Sequence, residues 1–93
     1  MGKFRIKIEK QAEIDIRKHH KSGDRASIKK IEQILLELSE HPYFGLGQPE
    51  ELKYNLQGLW SRKVNKKDRI IYGVNEDVVT VIVFSAMGHY SDK

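Results

Sequence analysis

Glu50 and Glu51, Arg69, and the adjacent His89 and Tyr90 are the residues of this chain whose types together could cleave a phosphodiester. Cutting RNA without a metal needs a base to take the 2′-hydroxyl proton and an acid to protonate the departing 5′-oxygen. It also needs cations for the charge added on phosphorus. Glutamate, with an unperturbed pKa of ~4.3, suits the base, and histidine, at ~6.5 and higher beside phosphate, suits the acid. Arginine stays charged and can engage two phosphate oxygens at once. Basic residues crowd the same stretch, at Lys53, Arg62, Lys63, Lys66, Lys67 and Arg69, with Tyr54, Trp60, Tyr72 and Tyr90 among them. Cations that hold phosphates and rings that stack on bases recur in single-strand RNA sites. Taken singly these residues are ordinary. Lys66 and Lys67 read as a solvated turn tip, Trp60 as a core residue, and most Glu and Arg face water. Only their combination is specific.

The elements that must position them follow from patterning. Phe4, Ile6 and Ile8 alternate with Arg5 and Lys7, as in a half-buried strand. A polar helix follows from Glu9 to His20, with Ala12, Ile16 and His19 or His20 on one face, and Ser22-Gly23 stops it. Asp24 is placed to cap a second helix, whose stripe of Ile28, Ile31, Leu35 and Leu38 is thickened by Ile34. That helix ends before Pro42, since the residue before proline disfavours helical backbone. Residues 41–58 form a long connection punctuated by Pro42, Gly45, Gly47, Pro49 and Gly58, the kind of loop that more often carries function. Three short strands complete the chain, at Leu59–Val64, Arg69–Val74 and Val78–Ser85, joined by turns at 65–68 and 75–77. The order β-α-α-β-β-β predicts one α+β domain over residues 1–93, a mostly antiparallel sheet with both helices on one face. The other face is left open, and its cations would suit a phosphate backbone.

Composition narrows the function classes. The chain has 93 residues, 39% hydrophobic and 32% charged, which suits one modest folded core and not disorder. No run approaches a membrane span, and Met1–Lys7 lacks the apolar stretch of a signal peptide, so a cytoplasmic location is the simplest reading. There is no cysteine for a disulfide or a thiolate site. His19 and His20 are adjacent and would point about 100° apart on a helix, and His41 has no partner at ligand spacing, so no metal or other cofactor is expected. There is no phosphate-binding loop of the GxxxxGK type. The net charge of +4 and a pI near 9.4 favour a polyanionic partner, nucleic acid or an acidic protein.

The stretch from Gly45 to Lys63, GLGQPEELKYNLQGLWSRK, closely resembles the YoeB toxins, whose pattern runs G-x-G-x-P-E-x-L-x-x-x-L-x-G-x-W-S-R. Arg69-Ile70-Ile71-Tyr72 and His89-Tyr90 also fall where that family has them. The resemblance covers nearly the whole chain. It implies a RelE-superfamily, microbial-RNase-like fold and a toxin of a toxin–antitoxin module that cuts messenger RNA in the ribosomal A site. By position it implies Glu50 as general base, His89 as general acid, Arg69 as the main transition-state cation and Tyr90 as a substrate-orienting group. Lys53, Arg62 and Lys63 become phosphate contacts. Lys63 stands where the family often has a second arginine, a point charge in place of a planar guanidinium. The implied partner is an antitoxin of the YefM/Phd group, and whether the free toxin is a monomer or a homodimer stays open. Two other readings compete: a non-nucleolytic inhibitor on the same fold, like the ParE toxins, and a plain RNA-binding module. Neither needs the set Glu50, Arg69, His89 and Tyr90.

A shared phosphate role makes a geometric demand. Lys63 and Arg69 share a sheet face only if an odd number of residues separates the paired positions, so that Lys63 lies opposite Arg69 or Val64 opposite Asp68. A four-residue turn over 65–68 would instead pair Val64 with Arg69 and send Lys63 to the other face.

Overall fold

The computed structural model describes residues 3–53 and 58–88. His89, Tyr90, Tyr54 and the residues beyond 90 lie outside that range. In chain order the elements are β1 (Arg5–Ile8), α1 (Lys10–Ser22), α2 (Arg25–Leu38), β2 (Glu50–Glu51), β3 (Leu59–Lys63), β4 (Arg69–Asn75) and β5 (Thr80–Ser85). They build a five-stranded sheet in the order β1-β5-β4-β3-β2, antiparallel except where β1 joins β5. The expected α+β arrangement is present, with one strand more than the alternation of apolar residues signalled.

The helices form where their signals lie. Gly23, at φ 77°, closes α1 in left-handed backbone, and the Asp24 side chain accepts from the Ser27 N–H to open α2. Ala12 of α1 and Ile31, Ile34 and Leu38 of α2 are buried in one cluster with Phe4, Val64, Ile70, Tyr72, Val81 and Val83. Trp60 packs half-buried at its margin, as a core residue would. Among the described residues, no helix is long and apolar enough to cross a membrane.

The opposite sheet face departs from expectation. Arg5, Lys7, Lys63 and Arg69 fall on it, as an open cationic face requires. Yet Leu52, Ser61 and Ile71 on the same face are buried, so only part of it is open. The last strand is also shorter than its β-branched run suggests. Val78 belongs to the turn, and Val79 adopts φ 47°, a conformation incompatible with the strand ladder.

Arg62 forms the fold's main polar knot. Its side chain points to the helix side of β3 and is fully buried. Nη1 contacts Glu37 Oε1 at 2.7 Å and the Leu46 carbonyl at 3.3 Å, while Nη2 donates to the carbonyls of His41 (2.7 Å) and Phe44 (2.9 Å). Nε donates to the Tyr72 hydroxyl, which donates in turn to the Pro42 carbonyl at 2.6 Å. One guanidinium therefore gathers residues 41–46, a segment with no ladder of its own to satisfy its carbonyls. Glu37 also accepts from the Leu46 N–H at 2.8 Å. Burial pushes its carboxyl up, but that hydrogen bond and Arg62 outweigh burial and hold it below its ordinary value.

Candidate active site

The segment gathered by Arg62 delivers Glu50 to the sheet. At Gly47 the backbone passes so close to β3 that its carbonyl accepts from the Lys63 N–H at 2.6 Å. A Cβ there would lie 2.9 Å from the Lys63 carbonyl oxygen, and φ is 87°, so glycine is required twice over. Two residues of β2 then pair with β3, Glu50 opposite Ser61 and Glu51 opposite Trp60. This register puts the Glu50 side chain on the cationic face and turns Glu51 away from it.

On the other side of β3 the hairpin to β4 sets Lys63 opposite Arg69. The turn achieves this odd spacing because the Asn65 side-chain oxygen accepts from the N–H groups of Lys67 and Asp68, and the Val64 N–H donates to the Asp68 carbonyl. The geometric demand is met, and the two cations share a face. Arg69 Nη1 lies 3.8 Å from Glu50 Oε1 and donates to Ser61 Oγ at 3.2 Å. The Glu50 side chain is 59% exposed and that of Arg69 23%, so the carboxylate stands at an open rim and the guanidinium lies deeper, backed by Ser61.

The structure thus brings together Glu50, Lys63 and Arg69 of the residues singled out by sequence. Lys53 is exposed just beyond β2. His89 and Tyr90 fall outside the described residues, but the chain arrives beside Arg69 at Gly88, whose carbonyl accepts from the Arg69 N–H at 3.1 Å. Arg62 requires a correction. It was expected to contact phosphate, but it is inaccessible from either side, with its donors spent on Glu37, three carbonyls and Tyr72. Tyr72, also fully buried, is not a stacking platform.

Two contributions had no expectation attached. Ser61 bridges the registers of Glu50 and Arg69, and its signal was its place two residues before Lys63 on one strand, which forces a shared face. Asp68 accepts from the Gly88 N–H at 2.8 Å and from the Asn65 amide at 3.0 Å. Burial raises its pKa, but these bonds prevail and hold the carboxyl below its ordinary value. Among the described residues, no group of three or more His, Cys, Asp or Glu side chains is clustered to hold a metal ion.

What this arrangement can do chemically is bind a phosphate between two cations with a carboxylate beside it. Comparison with known proteins agrees in fold and in family. The toxin YoeB of Escherichia coli O6:H1 is 36% identical over 67 residues, 72% of this chain and 77% of that protein. Among solved structures, the YoeB/ParE toxin from Agrobacterium tumefaciens superposes with a TM-score of 0.85 at 25% identity, covering 94% of this chain and 100% of that one. The heterotetrameric YoeB–YefM toxin–antitoxin complex from Staphylococcus aureus includes a chain matching at a TM-score of 0.75 and 32% identity, over 94% of this chain and 98% of its own length. The family model described as a YoeB-like toxin of bacterial type II toxin–antitoxin systems matches residues 9–90, and the chain belongs to that family.

Proposed function

We propose that this toxin is a ribosome-dependent endoribonuclease that cuts messenger RNA with side chains alone, by attack of the 2′-oxygen on the adjacent phosphorus. The observation that carries the reading is the meeting of Glu50 and Arg69 at 3.8 Å on one sheet face, with Lys63 directly opposite Arg69. Glu50, exposed at the rim, accepts the 2′-hydroxyl proton as the 2′-oxygen forms its bond to phosphorus. Arg69 and Lys63 neutralise the oxygens that gain charge in the five-coordinate state, a service worth most where donors are fixed beforehand. Ser61 contributes by fixing Arg69, its hydroxyl accepting one guanidinium N–H. His89 donates a proton to the 5′-oxygen as the P–O5′ bond breaks, and Tyr90 orients the substrate. The products are a 2′,3′-cyclic phosphate, opened by water to a 3′-phosphate, and a 5′-hydroxyl.

A nuclease of this kind needs restraint in its own cell. The YoeB–YefM assembly from Staphylococcus aureus supports an antitoxin of the YefM type as partner. A pI near 9.4 favours an acidic segment that orders on binding.

Primer extension on a translated message, with and without ribosomes, tests the reading. Defined cuts within the translated frame are expected only when ribosomes are present. Cuts at the same sites and rate on naked RNA would remove ribosome dependence, and absence of cuts under both conditions would remove the nuclease.

A further inference from the structure

The chain between β5 and residue 89 is gripped at alternate residues by buried polar side chains. Ala86 is fully buried, and its N–H and its carbonyl are both engaged. The N–H donates to Asp15 Oδ2 at 3.0 Å, and the carbonyl accepts from His19 Nε2 at 2.8 Å. Because a carbonyl only accepts, Nε2 carries the proton. Asp15 and His19 are spaced i, i+4 on α1, hence on one helix face, and are only 4% and 3% exposed. Gln11, one further turn back, holds the second Asp15 oxygen at 2.8 Å.

Gly88 is gripped in the same manner. Its N–H donates to Asp68 and its carbonyl accepts from the Arg69 N–H. Asp68 is itself braced by the Asn65 amide, which also donates to Ser27 Oγ at 2.8 Å, and the Ser27 hydroxyl donates to Asp24 at 2.8 Å. Two sets of side chains, one on α1 and one running from the start of α2 to the β3–β4 turn, thus hold three backbone groups, the N–H and carbonyl of Ala86 and the N–H of Gly88. Burying Asp15, His19 and Asp68 costs desolvation that an apolar residue would not incur. What these groups gain in return is a fixed course for the chain directly before His89.

We propose that Asp15, His19 and Asp68 are positioning residues for His89, acting through the backbone of Ala86 and Gly88. The inference rests on His89 being the general acid of the proposed function. A general acid must come within roughly 3 Å of the oxygen it protonates, and a misplacement of about 1 Å can cost ~10²-fold. Gly88, at φ 78° with none of the described residues within 4 Å of its Cβ position, meets no steric limit from them, so the grips on its peptide groups set the direction.

The test is a double-mutant cycle on ribosome-bound message, read as the cleavage rate constant at saturating toxin and as the toxin concentration giving half that rate. His19→Phe keeps volume but removes the donor. It is expected to lower the rate constant ~10-fold or more while leaving the half-saturating concentration largely unchanged. His19→Gln, which can place a donor near the Nε2 position, restores most of the rate. In a His89→Gln background, His19→Phe adds no further loss, because the grip acts only through the acid. Wild-type rates for His19→Phe, or a loss that multiplies with that of His89→Gln, would overturn the proposal. If His89→Gln alone cut at the wild-type rate, the acid assignment would fail and take this inference with it, an outcome distinct from the other two. Should His19→Phe not fold, amide exchange on the wild type decides. The Ala86 and Gly88 N–H groups should be protected like those of β5, and exchange at free-chain rates would overturn the proposal.

Discussion

Arg69→Ala is expected to lower RNA cleavage by ~10²-fold or more, and Glu50→Ala and His89→Gln to do the same, without unfolding the protein. In the proposed reaction each removes a group that acts on charge or a proton only in the transition state, so the rate constant is expected to fall more than affinity for the programmed ribosome. The folding side of the expectation comes from exposure. The Glu50 side chain is 59% exposed, and pairs of this kind contribute about 0–1 kcal/mol. Arg69 leaves behind Ser61 Oγ, which loses one donor. Thermal melts and single-turnover cleavage on the same preparations measure both sides. Three variants that fold and cut at the wild-type rate would dismantle the site assignment.

Arg62→Met should behave in the opposite way, as a folding defect first. Arg62 is fully buried while the Glu37 side chain keeps 29% exposure, so the loss of Arg62 costs up to about 3–5 kcal/mol, the figure for a pair buried on both sides, because the groups it held stay behind without their donor. Here the groups left are the Glu37 carboxylate, the His41, Phe44 and Leu46 carbonyls, and the Tyr72 hydroxyl. Against a typical domain stability of about 5–15 kcal/mol this is a large fraction, visible as a shifted urea midpoint. Arg62→Lys should recover little, since one ammonium cannot reach carbonyls spread over residues 41–46. Activity falls as well, because the same segment delivers Glu50. The pair also gives a sign for pH. Glu37 is held below its ordinary value of 4.5 in the folded chain, so its stabilisation is fully present above that value. It is lost as pH falls through the lower folded value, and wild type should lose more on acidification than Arg62→Met, which keeps only the Leu46 N–H bond to set against burial. A variant as stable as wild type would show that Arg62 does not organise the loop.

Much of this was legible in the sequence because the signals are local. The Ile28–Leu38 stripe, of which Ile28 alone stays outside the core cluster and the residues packed against it, the Gly23 and Asp24 caps and the paired turns each act within a few residues. The register of Lys63 against Arg69 followed from parity once a shared face was required. β2 was not legible, since two glutamates carry no alternation and their pairing depends on Gly47 passing β3. Arg62 was misread because an arginine in a basic strand is usually solvated, and only Glu37, 25 residues away, reveals that it turns inward. The same limit hid Asp15 and His19, whose partner is the backbone of Ala86 at the far end of the chain. Long-range polar contacts leave no periodic trace.

The central claim, a 2′-oxygen attack driven by side chains, is tested most directly by the ends it leaves. The fragments released from a ribosome-bound message by wild-type toxin should be mapped chemically on both sides of the cut, beside an Arg69→Ala control. A 2′,3′-cyclic phosphate or 3′-phosphate on the upstream fragment and a 5′-hydroxyl on the downstream one, both nearly absent from the control, are the predicted result. A 3′-hydroxyl facing a 5′-phosphate would mean that water, not the 2′-oxygen, attacks phosphorus, and would contradict the account.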